Sequence, residues 1–455
     1  MKKNLLKFLL SISILLTLSY HHSNPPQFDA NKILENSILK EKDFTPNVEA
    51  ITNTKKDLSA YLIQDHSTNL VFINFGFEKM GKAYEPKKGL SLLTKSTLLD
   101  GTTTLDRKSF RNLLKEKGIK ISINQTADTF DFSFSYIKEN ELTAWDTLKT
   151  VLYSPLLDEN DISLTKSQLK NLKIREDEYP TNKLKNLIKE QLYTNHPYGA
   201  PTYPSNEELD SLTPKDIREY LKNYMTNDTL TVGLSGNITP QETASFLDYV
   251  FNDLSPTSPN QKLLQLTHTH QDQLYTTPLP YSNQSFVAHI TNGINRSSKD
   301  FYPFYIADYI FGGSGLNSRL NKQIRENEGL TYGISSFLTE NDASALWTIS
   351  YSSAPNNVNK IEEIIKTEYQ NFLSRGITHK ELEQAKASLL TSFNLRFSSL
   401  SSLSYQLQLI KRENLGQDFF QKRQSYIKSI TLPDVNRVIK QKFSPSKTIF
   451  MATGK

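Results

Sequence analysis

The run from Phe311 to Ile334 carries the side chains of this chain that are best placed by type and spacing to do chemistry. Gly312, Gly313 and Gly315 make a turn. A short amphipathic helix is expected next, ended by Gly329, with a strand opening at Tyr332. Arg325 and Tyr332 then stand on either side of a chain reversal. A guanidinium and a phenol held that way can both donate to a peptide carbonyl, gripping a substrate and steadying the oxyanion that forms on attack. The bland alternative is a solvated arginine and a core tyrosine. The glycines let backbone approach a bound peptide closely, or serve as a plain helix-entry turn. No phosphate-loop lysine follows them, and no carboxylate lies about 20 residues on, which argues against a nucleotide site. Serine chemistry finds little support. There is no G-x-S-x-G elbow, and Ser314 has no histidine or acid that can be assigned to it. The run Ser398–Ser404 lies among apolar residues at helical spacing and reads as tight packing.

The elements that must position these groups are legible as patterns. Leu58–Ile63 and Leu70–Phe77 alternate around Asp65-His66-Ser67, a hairpin signal. Helical segments are expected at Gly89–Leu99, at Asp106–Lys117 with Gly118 as the stop, at Glu141–Tyr153, and at Asp161–Asp177 before Pro180. Between them, Ile119–Tyr136 alternates, with Phe130, Phe132, Phe134 and Tyr136 on one face. The strongest signal is a repeat. Ser211-Leu-Thr-Pro-Lys-Asp-Ile and Ser429-Ile-Thr-Leu-Pro-Asp-Val match at an offset of about 218 residues. In each, Thr213 or Thr431 suits an N-cap, with Asp216 or Asp434 at the third helical position. A glycine-ended strand follows each, Leu230–Gly236 and Thr448–Gly454. Two copies of one α+β domain are expected, each a largely antiparallel sheet backed by helices, facing across a cleft. The ranges are 50–251 and 273–455, joined by a linker at 252–272. The second copy opens with strands at Leu274–Thr276 and Ser285–Thr291.

The 455 residues carry a net charge of +5 without a basic block, too diffuse for nucleic acid. Lys2 and Lys3 followed by apolar Leu5–Leu18 read as an export signal over residues 1–20. No small-x-small cleavage site stands out near Ser19–Ser23, so the segment is either removed or kept as an anchor. A polar tether with Pro25-Pro26 fills residues 21–49. There is no cysteine, which excludes disulfides, thiol catalysis and a lipid-bearing cysteine. An exported protein, periplasmic or anchored and facing the periplasm, is the expectation.

Three stretches resemble the pitrilysin/insulinase-like metallopeptidases, in the bacterial branch close to mitochondrial processing peptidases, whose zinc motif is H-x-x-E-H. They are Ser318-Arg-Leu with Ile324-Arg325-Glu-Asn-Glu-Gly-Leu-Thr-Tyr332; His196-Pro-Tyr-Gly with Leu212-Thr-Pro-Lys-Asp-Ile and Leu230–Gly236; and the two-copy architecture. The resemblance covers about Ala50 to Lys455. It implies that Arg325 and Tyr332 are the second-domain pair that holds the substrate carbonyl. It also implies a zinc helix in the first domain, after a Gly-Leu pair. That place reads Gly89-Leu-Ser-Leu-Leu-Thr-Lys-Ser, which sets Leu92, Lys95 and Ser96 on the metal and base positions. Leucine has no lone pair to give, lysine is a cation where a carboxylate should activate water, and serine is a poor zinc ligand. The third ligand of the family, an acidic residue, would fall in the stretch Asn171–Pro180, where no single acid is assigned to it.

Of the eight histidines, none makes an i, i+4 pair beside an acid. His268 and His270 could chelate only on a rigid loop, and His196 reads as a helix end or a residue packed under a loop. The resemblance therefore implies a chain that binds no metal and is inactive alone. It would act as the non-zinc subunit of a heteromeric metalloendopeptidase, with zinc on a homologous partner and a peptide or unfolded segment as substrate. The other reading is an inert envelope scaffold that keeps the fold and has lost the chemistry.

Overall fold

Alternating strands with one aromatic face build the first sheet. In β5 (Thr129–Ile137), Phe130, Phe132, Phe134 and Tyr136 are all buried on one side. Phe132 stacks on Phe75 of β3 (Leu70–Glu78) with ring centroids 4.7 Å apart. The computed structural model describes residues 46–55, 57–267, 274–277, 283–395, 397–443 and 449–453. The export segment, nearly all of the tether, His21, His22, His268 and His270 lie outside the described residues.

Six strands form that sheet. Besides β3 and β5 they are β1 (Glu49–Thr52), β2 (Ser59–Gln64), β4 (Lys120–Gln125) and β6 (Leu230–Gly236), in the order β1-β2-β6-β3-β5-β4. Only β2 and β6 run parallel. The second sheet contains β7 (Leu274–Thr277), β8 (Ser285–Asn292), β9 (Ile334–Asn341), β10 (Ser344–Ser353) and β11 (Ile449–Thr453), in the order β7-β11-β8-β10-β9. Again a single pair, β7 with β11, is parallel. Once β1 is set aside, the two orders correspond strand for strand, so the repeat is a repeat of topology. Both capping boxes form: Thr213 with Asp216 and Thr431 with Asp434 satisfy each other's backbone N–H groups.

One expectation fails. The turn Asp65-His66-Ser67 exists, but β2 and β3 are not a paired hairpin. β6 enters between them, parallel to β2 and antiparallel to β3. Asp65 N donates to Gly236 O at 3.0 Å, and Asn237 N to Leu70 O at 3.0 Å, which ties the turn to the inserted strand. The second copy splits β7 from β8 in the same way with β11.

Residues 46–455 form one compact unit, and helix exchange shows why. Each sheet packs one face on helices of its own copy. On the other face of the first sheet lies the helix Leu400–Arg412, from the second copy. The equivalent helix of the first copy, Pro180–Leu192, lies on the second sheet against β7, β8 and β11. These helices bridge the two copies. The sheet makes room with small residues. A Cβ on Gly233 would come within 2.4 Å of the backbone of Ser404 and Gln408. Asn74 Nδ2 donates to Ser404 Oγ at 2.6 Å, and Gln408 Nε2 to Asp131 Oδ1 at 2.8 Å. The serine-rich run is thus a packing surface, with Ser404 fully buried.

The tip of the β9–β10 hairpin makes a second lock. Asp128 accepts from Tyr198 Oη at 2.6 Å and from Asp342 N at 3.1 Å. Asp342 accepts from Tyr84 Oη at 2.7 Å, and Leu266 N donates to Ala343 O at 2.8 Å. The part of the 252–272 segment that is described is therefore packed against the hairpin at its end. Among the described residues, no helix is long and apolar enough to cross a membrane.

Candidate functional site

The segment that presents Arg325 and Tyr332 differs from the regular amphipathic helix expected. The helix Phe301–Asp308 runs into a π-helical turn, Tyr309–Gly313. A 3-10 turn, Gly315–Asn317, follows, and then a second π-helical stretch, Asn321–Asn327. Such wide turns are rare and concentrate at functional sites. Asn321 is buried, and its amide Nδ2 donates to Ser318 Oγ at 3.1 Å and to Ile334 O, while Oδ1 receives Ile334 N at 3.4 Å. This pins the helix to the first residue of β9. Leu320 and Ile324 are fully buried beneath it.

Further anchors hold both sides of the reversal. Arg319 grips Glu381 with two nitrogens, at 2.7 and 2.8 Å, and donates to Gly376 O at 3.0 Å. Burial pushes the Glu381 carboxyl up, but hydrogen bonds from Arg319 and Thr378 outweigh it and leave the carboxyl below its usual range. Thr331 Oγ1 donates to Ser352 O at 2.7 Å, and Asn357 Nδ2 to Leu330 O at 3.3 Å. Gly329 closes the helical stretch at φ 64°.

On this pedestal both chemical side chains face solvent. Tyr332 is 84% exposed and sits two residues before β9, so it belongs to the loop and does not open the strand. Arg325 is exposed on the π-helical stretch. Neither side chain has a hydrogen-bond or ion-pair partner among the described residues, so both N–H and O–H donors remain available to a ligand. The glycines divide. Gly312 is buried, and a Cβ there would come within 2.5 Å of Ser336 Oγ, so packing on β9 accounts for it. Gly313 and Gly315 are exposed at the turn. Sequence reasoning missed Asn321, Arg319, Glu381 and Thr331 as the supports. The Arg319–Glu381 pair spans a distance in sequence that no local pattern reports.

Leu92, Lys95 and Ser96 lie together on the partly exposed face of the helix Leu90–Thr97, while Ser91, Leu93, Thr94 and Thr97 are buried. Glu85 holds the start of this helix, accepting from Gly89 N at 2.7 Å, Ser91 N at 2.9 Å and Ser91 Oγ at 2.6 Å. Burial raises the Glu85 carboxyl against those hydrogen bonds. Ser96 Oγ is turned back onto Leu92 O at 2.8 Å. The helix packs on Glu159–Glu178, which contains most of the stretch Asn171–Pro180. At the positions that the resemblance assigns to H-x-x-E-H, this helix carries a methyl-tipped chain, an ammonium and an engaged hydroxyl. Zinc does not fit this donor set. Among the described residues, no three His, Cys, Asp or Glu side chains converge to hold a metal ion. Two of the described histidines have structural partners: His196 is buried and accepts from Tyr198 N at 3.2 Å, and His289 Nε2 lies 3.0 Å from Glu362.

Comparison with known proteins agrees with this geometry. The model described as "Insulinase (Peptidase family M16)" matches residues 63–205. "Peptidase M16 inactive domain" matches residues 211–389. The "Non-peptidase homolog YmxG" of Helicobacter pylori is 24% identical over 385 residues, covering 83% of this chain and 87% of that protein. The human mitochondrial-processing peptidase subunit alpha is 24% identical over 353 residues, covering 70% of this chain and 66% of that one. A crystal structure of a peptidase M16 inactive domain from Pseudomonas fluorescens superimposes with a TM-score of 0.83 at 18% identity, covering 90% of this chain and 98% of that one. With the fold duplicated and both family models matched in sequence order, the chain belongs to the insulinase-like M16 peptidase family, as an inactive member.

Proposed function

We propose that this chain is the zinc-free subunit of a heteromeric metalloendopeptidase. A homologous partner would supply H-x-x-E-H, the zinc ion and the activated water. Arg325 and Tyr332 would hold the peptide backbone and stabilise the oxyanion in trans. The observation that carries this reading is the contrast between the two half-sites. Arg325 and Tyr332 stand exposed without internal partners on a rigid, multiply anchored turn, whereas Leu92, Lys95 and Ser96 can neither bind zinc nor activate water. A guanidinium and a phenol donating to one carbonyl oxygen strengthen their bonds as negative charge develops there. The printed name of the human relative, a subunit of a processing peptidase, supports a homologous partner. Export through residues 1–20 to the periplasm, with the segment removed or retained as an anchor, completes the proposal.

The test is reconstitution. The purified chain should cleave no peptide alone. An H-x-x-E-H chain from the same organism should co-purify with it and cleave only in its presence. Arg325→Ala in that complex should lower turnover by roughly 10²–10³. Zinc-dependent cleavage by the lone chain would overturn the proposal. A complex whose activity is indifferent to Arg325→Ala and Tyr332→Phe would favour an inert scaffold.

A further inference from the structure

The lock at the tip of the β9–β10 hairpin is built from acids, phenols and backbone. Asp342 N donates to Asp128 Oδ2 at 3.1 Å, Ala343 N to Tyr198 Oη at 3.1 Å, and Tyr84 Oη to Asp342 Oδ2 at 2.7 Å. Tyr198 Oη in turn donates to Asp128 Oδ1 at 2.6 Å. The linker closes over the same tip, with Gln265 Nε2 donating to Asp342 O at 2.9 Å and Leu266 N to Ala343 O at 2.8 Å. Two carboxylates from different copies, Asp128 and Asp342, are thus held side by side.

The charges that face this seam do not balance. Glu78 ends β3, and Glu413 follows the exchanged helix Leu400–Arg412; both add their charge to those of Asp128 and Asp342. Arg412 and Lys79 oppose them. Arg412 is shared, since it lies 3.4 Å from Asp131 and 3.8 Å from Glu413. Glu340, on β9, faces Glu413 and also Arg296, whose N donates to it at 3.0 Å. His196 packs on Tyr198 with ring centroids 4.7 Å apart, and burial pushes its imidazole toward acid. Carboxylates that outnumber their cations in a half-dry seam either keep protons or separate. Burial first, then Asp342, lifts Glu78 to about 7 and Asp128 to about 6. A closed seam that binds protons more tightly than an open one is favoured in acid. That preference is full below about pH 4 and is lost as pH rises through 6 to 7.

We propose that the hairpin tip is a pH-gated latch between the two copies, docked in acid and released above neutrality, with Glu78 and Asp128 as its sensors. The exchanged helices keep the copies joined when the tip lets go. β9 begins two residues after Tyr332, so the strand that loosens is the one that braces the reversal. The latch itself uses neither Arg325, Tyr332 nor a partner chain, and it stands apart from the peptidase-subunit reading.

Hydrogen exchange on the whole chain tests it, because local opening exposes amides without unfolding the rest. After correction for the intrinsic rate, protection of residues 340–345 should fall at least tenfold between pH 5.5 and pH 8.5, while β3 and β5 keep theirs. Glu78 alone is sufficient for this, since moving a carboxyl by a single pH unit is worth about tenfold in an equilibrium constant. Glu78→Gln should keep the tip protected at pH 8.5. The chain has no cysteine, so spin labels on Asn124→Cys and Thr339→Cys, both at exposed positions, give a second reading: one narrow distance at pH 5.5 and a broader, longer one at pH 8.5. Tip protection that is the same at both pH values, a loss spread equally over both sheets, or a Glu78→Gln chain that opens like the parent would overturn the latch.

Discussion

Replacing Glu78 with glutamine should stabilise the chain above neutral pH and leave it unchanged in mild acid. Glu78 ends β3 beside the seam where the hairpin tip at Asp342 meets the first copy. Burial above all, then the charge of Asp342, lifts its carboxyl from 4.5 to about 7, with Glu413 adding to the effect and Arg412 and Lys79 opposing it. Asp128, which receives Asp342 N, is lifted from 3.8 to about 6, chiefly by burial and then by Asp342. Both folded values lie above the unfolded ones. The stability these groups contribute is therefore fully present below about pH 4 and is lost as pH rises through 6 to 7. Keeping a carboxylate ionised at pH 8 when it titrates near 7 instead of 4.5 costs on the order of 3 kcal/mol. Glu78 retains some contact with water, which brings the working figure to ~1–2 kcal/mol. Glutamine keeps the shape and removes the charge. Urea unfolding of both proteins at pH 4 and pH 8 measures the difference, and nearly all of the gain should appear at pH 8. A variant no more stable than the parent at pH 8, or equally stabilised at both values, would refute the reasoning.

Gly233→Ala should destabilise the chain by ~1–3 kcal/mol, because the added methyl meets the backbone of the exchanged helix and no flexible side chain can yield; its urea midpoint and its trypsin sensitivity near Leu400 report this. Asn321→Ala strips partners from both backbone groups of Ile334 and should cost ~1–3 kcal/mol. In a reconstituted complex it should also weaken substrate turnover, although Asn321 touches no ligand. Tyr332→Phe removes one donor without altering shape, so it should lower kcat in that complex while the melting temperature of the chain stays within a degree. Arg325→Lys should recover only part of what Arg325→Ala loses, since an ammonium lacks the planar fork; equal rates for the two variants would contradict paired donation.

Much of the fold could be read from residues near each other in the chain. The helix Glu141–Tyr153 lies where its periodicity placed it, and the aromatic face of β5 is the buried one. The capping boxes at Thr213 and Thr431 form because each needs only a partner three residues away. The shared helix of Leu92, Lys95 and Ser96 was legible for the same reason: the three are close in sequence. Strand pairing was not. Alternation shows which face of β2 and β3 is apolar but is silent on which strand lies beside them, and β6 arrives from far along the chain. The anchoring of the π-helical stretch before Tyr332 was likewise hidden, because it rests on the bonds of one buried asparagine to β9.

The amino-acid sequence alone determined that this is a duplicated α+β chain with Leu92, Lys95 and Ser96 within one helix and an arginine and a tyrosine flanking a reversal, because residue chemistry and short spacings are local properties. Tertiary structure alone decided that the two copies are clasped by exchanged helices and that the arginine and tyrosine stand on a braced turn without partners among the described residues. Those outcomes depend on contacts between segments distant in the chain, whose geometry no periodicity encodes.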